Sequence, residues 1–184
     1  MNNKCILVLL FLVIMVASGI YGEENNQFIG VSTGYFFQND NDTYPDKMTI
    51  NTEIGIIIPP RMALALNIGY FSSLGTLSFT GEETRFTMIP LSLTAEYKFF
   101  RTKIKPYIGA KKVIIFYNES NIIERMRGIC LGFMLRLGGL YQLGEKINLN
   151  LSCSYIYSGE ISHPLEGIVN MGGISLTLGI RYQI

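Results

Sequence analysis

The chain has 184 residues, of which 48% are hydrophobic and only 16% are charged. The length suggests a single domain, and the charged fraction is well below the roughly 25% that is typical of soluble domains. The formal net charge of +1 provides no basic surface. Composition therefore argues against a nucleic-acid-binding protein and against an ordinary soluble domain.

Residues 1–22 have the pattern of a secretory signal peptide. Lys4 supplies a positive charge, an apolar run of about a dozen residues follows, and small residues come next. Cleavage is expected after Gly19 or Gly22, which leaves 23–184 as the exported domain. The apolar run is too short to span a bilayer comfortably, and an uncleaved N-terminal anchor is the alternative.

Eight later segments alternate apolar and polar residues with the period of two that is typical of a strand. They are 27–37, 48–58, 62–72, 85–99, 105–117, 128–143, 147–158 and 173–184. Pro90 lies inside the fourth segment and suggests a bulge or a locally frayed edge. The faces of the fifth segment cannot be assigned, because Lys111 and Lys112 are adjacent.

The lengths of these segments and of their connections favour a membrane barrel. The segments have about 10–15 residues, whereas strands of soluble proteins are usually nearer 5–6 and transmembrane strands need about 9–11. Long polar connections also alternate with short turns, as in outer-membrane barrels. The sequence therefore predicts an all-β, eight-stranded, antiparallel up-and-down transmembrane β-barrel, closed by pairing of the last strand with the first.

Alternation alone does not say which face of the barrel is outside, and a soluble carrier with an apolar interior is the alternative. Two features favour an apolar exterior. The polar face consists mostly of small residues, which fit the narrow interior of eight strands. Tyrosines lie on the apolar face near the strand ends, where aromatic girdles occur. They are Tyr35, Tyr70, Tyr97, Tyr141, Tyr155, Tyr157 and Tyr182.

Three stretches, 89–99, 105–110 and 179–184, resemble the small eight-stranded outer-membrane β-barrel proteins of the OmpX and OmpW kind. The resemblance runs from about Gln27 to the end of the chain. It implies a monomer in the outer membrane of a diderm bacterium, inserted by the barrel-assembly machinery. That machinery recognises a C-terminal strand that usually ends in an aromatic residue. Here Tyr182 and Ile184 occupy the position of this assembly signal.

Five charged residues fall on the face predicted to point inward. They are Glu53, Glu96, Lys98, Arg136 and Arg181. Charges inside a narrow barrel must pair, because an unpaired buried charge is very costly. We expect an interior charge network that fills the lumen, and a selective path or gate is the alternative.

No catalytic, cofactor or metal site is expected. His163 is the single histidine, and it lies near Ser162, Glu160 and Glu166 in the last predicted loop. This cluster offers a weak case for a lipid-modifying enzyme, and a lone histidine makes a poor metal site.

Cys130 and Cys153 are expected to be free thiols, because they fall on opposite faces of segments whose pairing would keep them apart. The sequence thus predicts a protein of the outer membrane, in contact with lipid, with a structural role or a surface ligand bound by its loops. The alternatives are a narrow channel or conduit for small apolar compounds, and a lipid-modifying enzyme.

Overall fold

The computed structural model describes residues 26–38, 47–76, 83–100, 102–120, 125–158, 160–163, 167–170 and 172–184. The strands in these ranges are β1 (Gln27–Gln38), β2 (Lys47–Ile58), β3 (Met62–Thr76), β4 (Glu83–Lys98), β5 (Ile104–Ser120), β6 (Arg125–Gln142), β7 (Ile147–Ser158), β8 (Glu160–His163), β9 (Gly167–Asn170) and β10 (Gly173–Gln183). Within these ranges, no helix is long and apolar enough to cross a membrane. The predicted signal segment, 1–22, lies outside the described residues.

Eight strands form a closed antiparallel barrel in the order β1-β10-β7-β6-β5-β4-β3-β2. The first strand lies between the last and the second: Val31 is in register with Ile180 on one side and with Thr52 on the other. At the end of the closing seam, the N–H of Ile184 donates to the carbonyl of Gln27 at 2.9 Å. Closure gives each of these strands two neighbours, which confirms the predicted up-and-down barrel.

The connections leave the barrel at two different ends. The short turns 59–61, 99–103 and 143–146 lie at one end, which we call the turn end. The connections that begin after Gln38, Thr76, Ser120 and Ser158 lie at the other, which we call the loop end. The alternation between two ends is as predicted, whereas the connection between β5 and β6, 121–124, has only four residues and is comparable in length to the short turns.

Four strands are longer at the loop end than the sequence predicts. β3 continues to Thr76, β4 begins at Glu83, β5 continues to Ser120 and β6 begins at Arg125. Most of the added residues are polar, so they were interpreted as loop. Backbone pairing does not require an apolar face, and the antiparallel ladder continues through them.

The connection between β7 and β10 also differs from the prediction of a loop. β8 and β9 form an antiparallel hairpin in which Glu160 is in register with Asn170, and His163 with Gly167. The hairpin is separate from the barrel sheet. Strands of four residues are too short for a period of two to be recognised in the sequence.

The structure assigns the faces of β5. Lys111 points into the barrel and is buried, whereas Lys112 points outward and is exposed. Gly109 and Val113 are buried on the same side as Lys111. The alternation is therefore regular through the two lysines.

Pro90 interrupts the pairing of β4 with β3 without changing its register. Ile68 pairs with Leu91 and Phe71 pairs with Met88, so the offset is the same on both sides of the gap. The bulge that was one of the two expectations is absent, because no extra residue is inserted. A missing N–H donor explains a local gap in the ladder.

The outer face of the barrel is apolar, and we call it the apolar belt. The apolar side chains of Val31, Leu151 and Leu178, for example, are 60%, 62% and 50% exposed. Their neighbours along each strand point inward and are small or buried. So much exposed apolar surface is unfavourable in water and is the normal exterior of a barrel in lipid.

Aromatic residues border the apolar belt at both ends. All seven tyrosines named above are exposed on the outer face, as predicted. The turn-end girdle consists of Tyr97, Phe99, Tyr141 and Tyr182. The loop-end girdle consists of Tyr35, Phe37, Tyr70, Phe133, Tyr155 and Tyr157. Amphipathic rings of this kind are favoured where hydrocarbon meets headgroups.

The two cysteines outside the predicted signal segment are free thiols, as expected. Cys130 is buried inside the barrel, whereas Cys153 is exposed on its outer face. Opposite orientations exclude a bond between them in this fold.

We expect Leu178→Arg to lower the stability of the barrel in lipid by about 2–4 kcal/mol, because it places a charge in the middle of the apolar belt. Leu143→Arg, in an exposed turn, is the control and should cost about 0–1 kcal/mol. Urea-dependent folding into phospholipid vesicles measures both. Equal costs at the two positions would contradict an exterior that faces hydrocarbon.

Candidate functional site

Four charged side chains meet inside the barrel, and we call them the ion quartet: Glu53, Glu96, Arg136 and Arg181. Arg181 donates through Nη1 and Nη2 to the two carboxylate oxygens of Glu96, at 2.7 Å each. The same guanidinium donates through Nη2 to Oε2 of Glu53 at 3.1 Å and through Nε to Oε1. Arg181 therefore binds both carboxylates in the two-pronged geometry that gives the strongest ion pairs.

Arg136 completes the quartet from β6, which is separated from the strand of Arg181 by β7. Its Nη1 lies 3.3 Å from Oε1 of Glu96 and 3.5 Å from Oε2 of Glu53. The side chains of the quartet are between 1% and 10% exposed. Two positive and two negative charges at this depth are balanced, which offsets much of the cost of removing them from water.

Glycines allow the partners to meet across an intervening strand. Gly30 on β1 is in register with both Glu53 and Arg181, which lie on the strands at either side. Gly109 is likewise in register with both Glu96 and Arg136. In each pair the side chains approach each other over a position that has no side chain of its own. A Cβ at Gly30 would lie 2.6 Å from Oε1 of Glu53.

Aromatic rings and hydroxyl groups surround the guanidinium groups. The Cζ of Arg181 lies 4.8 Å from the ring centroid of Phe28, and both arginines lie 5.5 Å from the centroid of Tyr107. The Nε of Arg136 donates to the hydroxyl of Ser152 at 3.0 Å. These contacts add cation–π attraction and hold the donors in place.

The structure brings together four of the five charged residues that the sequence singled out. Lys98 is half-buried on the same inward face, two residues from Glu96 at the turn end of β4. Lys111 also points inward. Its orientation could not be predicted, because the two adjacent lysines left the faces of β5 unassigned. Side chains alternate between the two faces of a strand, so placing the small Gly109 inside the barrel also places Lys111 inside and Lys112 outside.

The loop half of the interior contains a cluster of large apolar side chains, which the prediction of an inward face made mostly of small polar residues did not include. Nine buried residues pack together there, and we call them the apolar plug. They are Phe36, Phe71, Phe86, Met88, Val113, Ile115, Cys130, Met134 and Ile156. Their large side chains fill the lumen between the ion quartet and the loop end, because each is at most 9% exposed.

A cavity of about 60 Å³ lies between the ion quartet and the apolar plug. Its lining includes Glu53, Lys111 and Arg136 from the charged side and Phe71 and Met134 from the plug. Hydroxyl and amide side chains form much of the remaining wall. A cavity of this size, with polar groups on part of its wall, has room for several water molecules.

The two residues of the predicted assembly signal lie on the outer face. Tyr182 belongs to the turn-end girdle, and Ile184 is exposed just beyond the end of β10. Their role in insertion remains a prediction. The side chain of His163, with those of its neighbours Glu160 and Ser162, lies outside the described part of the structure.

Comparison with known proteins identifies the fold. Neither the protein-family models nor the curated protein sequences include a match to this chain. Solved structures do match, and they include several small outer-membrane β-barrel proteins. The fold that this chain shares with them is the closed eight-stranded antiparallel β-barrel, which agrees with the resemblance to small outer-membrane barrels in the sequence.

Three of these structures show the extent of the likeness. The outer membrane protein OprG from Pseudomonas aeruginosa has a TM-score of 0.71 at 14% identity, over 89% of this chain and 98% of that one. Neisserial surface protein A has 0.60 at 16% identity, over 86% and 96%. Ail, the attachment invasion locus protein of Yersinia pestis, has 0.54 at 10% identity, over 88% and 100%. Identities this low establish a common fold and leave function to be argued from the site.

We expect Gly30→Ala to destabilise the barrel, because the added methyl group displaces the Glu53 side chain from Arg181. Gly139→Ala is the matched control, since a Cβ there meets nothing within 4 Å. The control should be neutral or slightly stabilising, by up to about 1 kcal/mol. Urea midpoints in lipid vesicles measure the difference. Equal midpoints for the two variants would show that the crossing over Gly30 does not matter.

We expect Arg181→Met to cost about 3–5 kcal/mol, because it removes the guanidinium group that binds both buried carboxylates. Adding Glu53→Gln should recover part of this loss, since it removes the charge of a buried carboxylate that has lost its main partner. Arg61→Met, at an exposed turn, should change stability by less than about 0.5 kcal/mol. The same urea titration applies. A double variant less stable than Arg181→Met alone would refute this explanation.

Proposed function

We propose that this protein is a monomeric β-barrel of the bacterial outer membrane with a structural and surface-contact role, without catalytic activity. The observation that carries the proposal is the combination of an apolar exterior with a filled interior. A soluble carrier would have these faces reversed, and a general aqueous pore would have an open polar lumen.

The filled interior supports a barrel that does not conduct. The ion quartet closes the turn half of the lumen, and the apolar plug closes the loop half. An ion crossing the barrel would have to displace balanced, hydrogen-bonded charges and then pass packed aromatic rings. Each step is costly, because both layers exclude bulk water.

The long connections support a role at the cell surface. In outer-membrane barrels short turns face the periplasm and long loops face the outside. By this rule the loop end, with its extended β3–β6 wall and its β8–β9 hairpin, faces outward. Loops held by a rigid scaffold are common binding elements.

The surface-contact role can be tested by shortening one loop. Cells that display the protein would be tested for retention on immobilised protein and glycan arrays, with residues 77–82 replaced by a tight turn in the variant. Retention that depends on this loop supports the proposal. Equal retention by the displaying cells, the variant and cells without the protein speaks against it.

The apolar plug favours one second candidate, a conduit for small apolar compounds. Nine apolar residues at the mouth of the lumen would accept an apolar molecule more readily than an ion. Phe71→Ala, in the plug, should then speed the entry of a small apolar dye into vesicles, while Val31→Ala, on the apolar belt, should not. No acceleration by Phe71→Ala would argue against a conduit.

We expect the purified barrel to migrate differently on gels before and after boiling, to fractionate with the outer membrane, and to give no sustained conductance in planar bilayers. Loosening either the ion quartet or the apolar plug alone should not make the barrel conduct. Phe71→Ser with Met134→Ser loosens the plug, and Glu53→Ser with Arg181→Ser removes a balanced ion pair. Only the combination of all four substitutions should give conductance steps.

Heat-modifiability serves as the control that each variant is folded. Conductance steps from the unmodified barrel, altered by Glu96→Ala or Arg136→Ala, would instead favour a narrow channel. Soluble protein in the periplasm without a gel shift would overturn the membrane assignment. A change in membrane lipid composition that His163→Ala abolishes would favour the lipid-modifying enzyme.

A further inference from the structure

Lys112 is the one charged side chain of the apolar belt between the two girdles, within the described strands. It lies near the middle of β5, points outward and is exposed. Its neighbours on the outer face are apolar in every direction. They are Leu93 and Phe133 in register, Ala110 and Ile114 along the strand, and Leu91, Ala95, Leu131 and Leu135 on the diagonals.

None of these neighbours can neutralise an ammonium group. A lysine exposed to hydrocarbon is costly, and such residues are rare outside functional positions. A lysine side chain avoids most of this cost by burying its carbon chain and extending its charge to the headgroup region. The distance from Lys112 to the nearer girdle therefore decides whether its ammonium group lies in hydrocarbon or among headgroups.

The register places Lys112 close to the loop-end girdle. It pairs with Phe133, and Phe133 pairs with Tyr157, which is the second-last residue of β7. Both aromatic residues belong to the loop-end girdle. The ammonium group thus reaches the headgroup level of the leaflet at the loop end.

More basic groups lie above Lys112 on the flanking strands. Arg85 on β4 and Arg127 on β6 are exposed near the loop end. The Nε of Arg127 donates to Oδ1 of Asn118 at 3.0 Å, which leaves its remaining donors directed elsewhere. The exterior of β4–β6 therefore carries basic groups at two heights, whereas the outward side chains of β10 are apolar from Ile174 to Ile184.

We propose that the outer face of β4–β6 binds the anionic phosphate headgroup of a lipid in the leaflet at the loop end. Lys112 contacts the phosphate, whereas Arg127 and Arg85 lie about 20 and 26 Å farther toward the loop end and take no part in this contact. The lipid chains pack on the apolar residues around Lys112. This inference rests on the proposed position of the barrel in a membrane.

The absence of tryptophan from the chain makes a local fluorescence test possible. Leu93→Trp places a single reporter in register with Lys112, and Leu178→Trp places one on β10, among apolar neighbours. Each variant is folded into vesicles that contain brominated phosphatidic acid or brominated phosphatidylcholine. Bromine quenches a nearby tryptophan, so the ratio of quenching gives the local preference for the anionic lipid.

We expect the Leu93→Trp reporter to show a preference of about fivefold for phosphatidic acid, the effect of roughly one basic residue near an anionic surface. Lys112→Met should abolish it, and Lys112→Arg should retain it. The Leu178→Trp reporter should show no preference. A preference that is absent at Leu93, or that does not follow the charge at position 112, overturns the proposal.

Failure of the membrane assignment gives a different result. In that case neither brominated lipid quenches either reporter, and the lipid site is rejected together with the proposed function. Quenching of both reporters without selectivity rejects the lipid site alone.

Discussion

The pairing of β1 with β10 is the contact on which the rest of the structure depends. In hydrocarbon, an unpaired backbone N–H or carbonyl has no partner, so a sheet there must close. Eleven register pairs, from Phe28 with Gln183 to Gln38 with Gly173, close this one. Closure with eight strands also makes the lumen narrow, and this width decides what the interior can hold.

The interior combines two ways of filling a narrow space. Toward the turn end, long charged side chains cross the lumen over Gly30 and Gly109, and they are balanced as two acids and two bases. Toward the loop end, aromatic and aliphatic side chains pack as in a soluble core. In the first layer, directional hydrogen bonds fix the positions of the charged groups. In the second, non-directional apolar packing tolerates changes in side-chain shape more easily. The small cavity lies where the two layers meet and has both polar and apolar groups in its wall.

The sequence predicts the barrel well, because a period of two over ten or more residues fixes the strands, their faces and the alternating connections. It also selects Glu53, Glu96, Arg136 and Arg181 as inward charges. It does not predict how they pair, since contact across an intervening strand depends on the register. The plug was missed for another reason: a strand such as β1 is apolar on both faces near Phe36, where alternation gives no signal.

β5 carries one lysine toward the barrel interior and the next toward the apolar exterior. Lys111 and Lys112 are adjacent in the chain, yet one lines the internal cavity and the other enters the apolar belt. Inside, Lys111 shares a cavity with Glu53, whose carboxylate is near enough to lower the cost of a buried cation, and with polar side chains of the cavity wall. Outside, no protein group does so, because the surrounding side chains are apolar. Lys112 has no polar protein group beside it on the outer face, so a partner for its charge has to come from the lipid around the barrel.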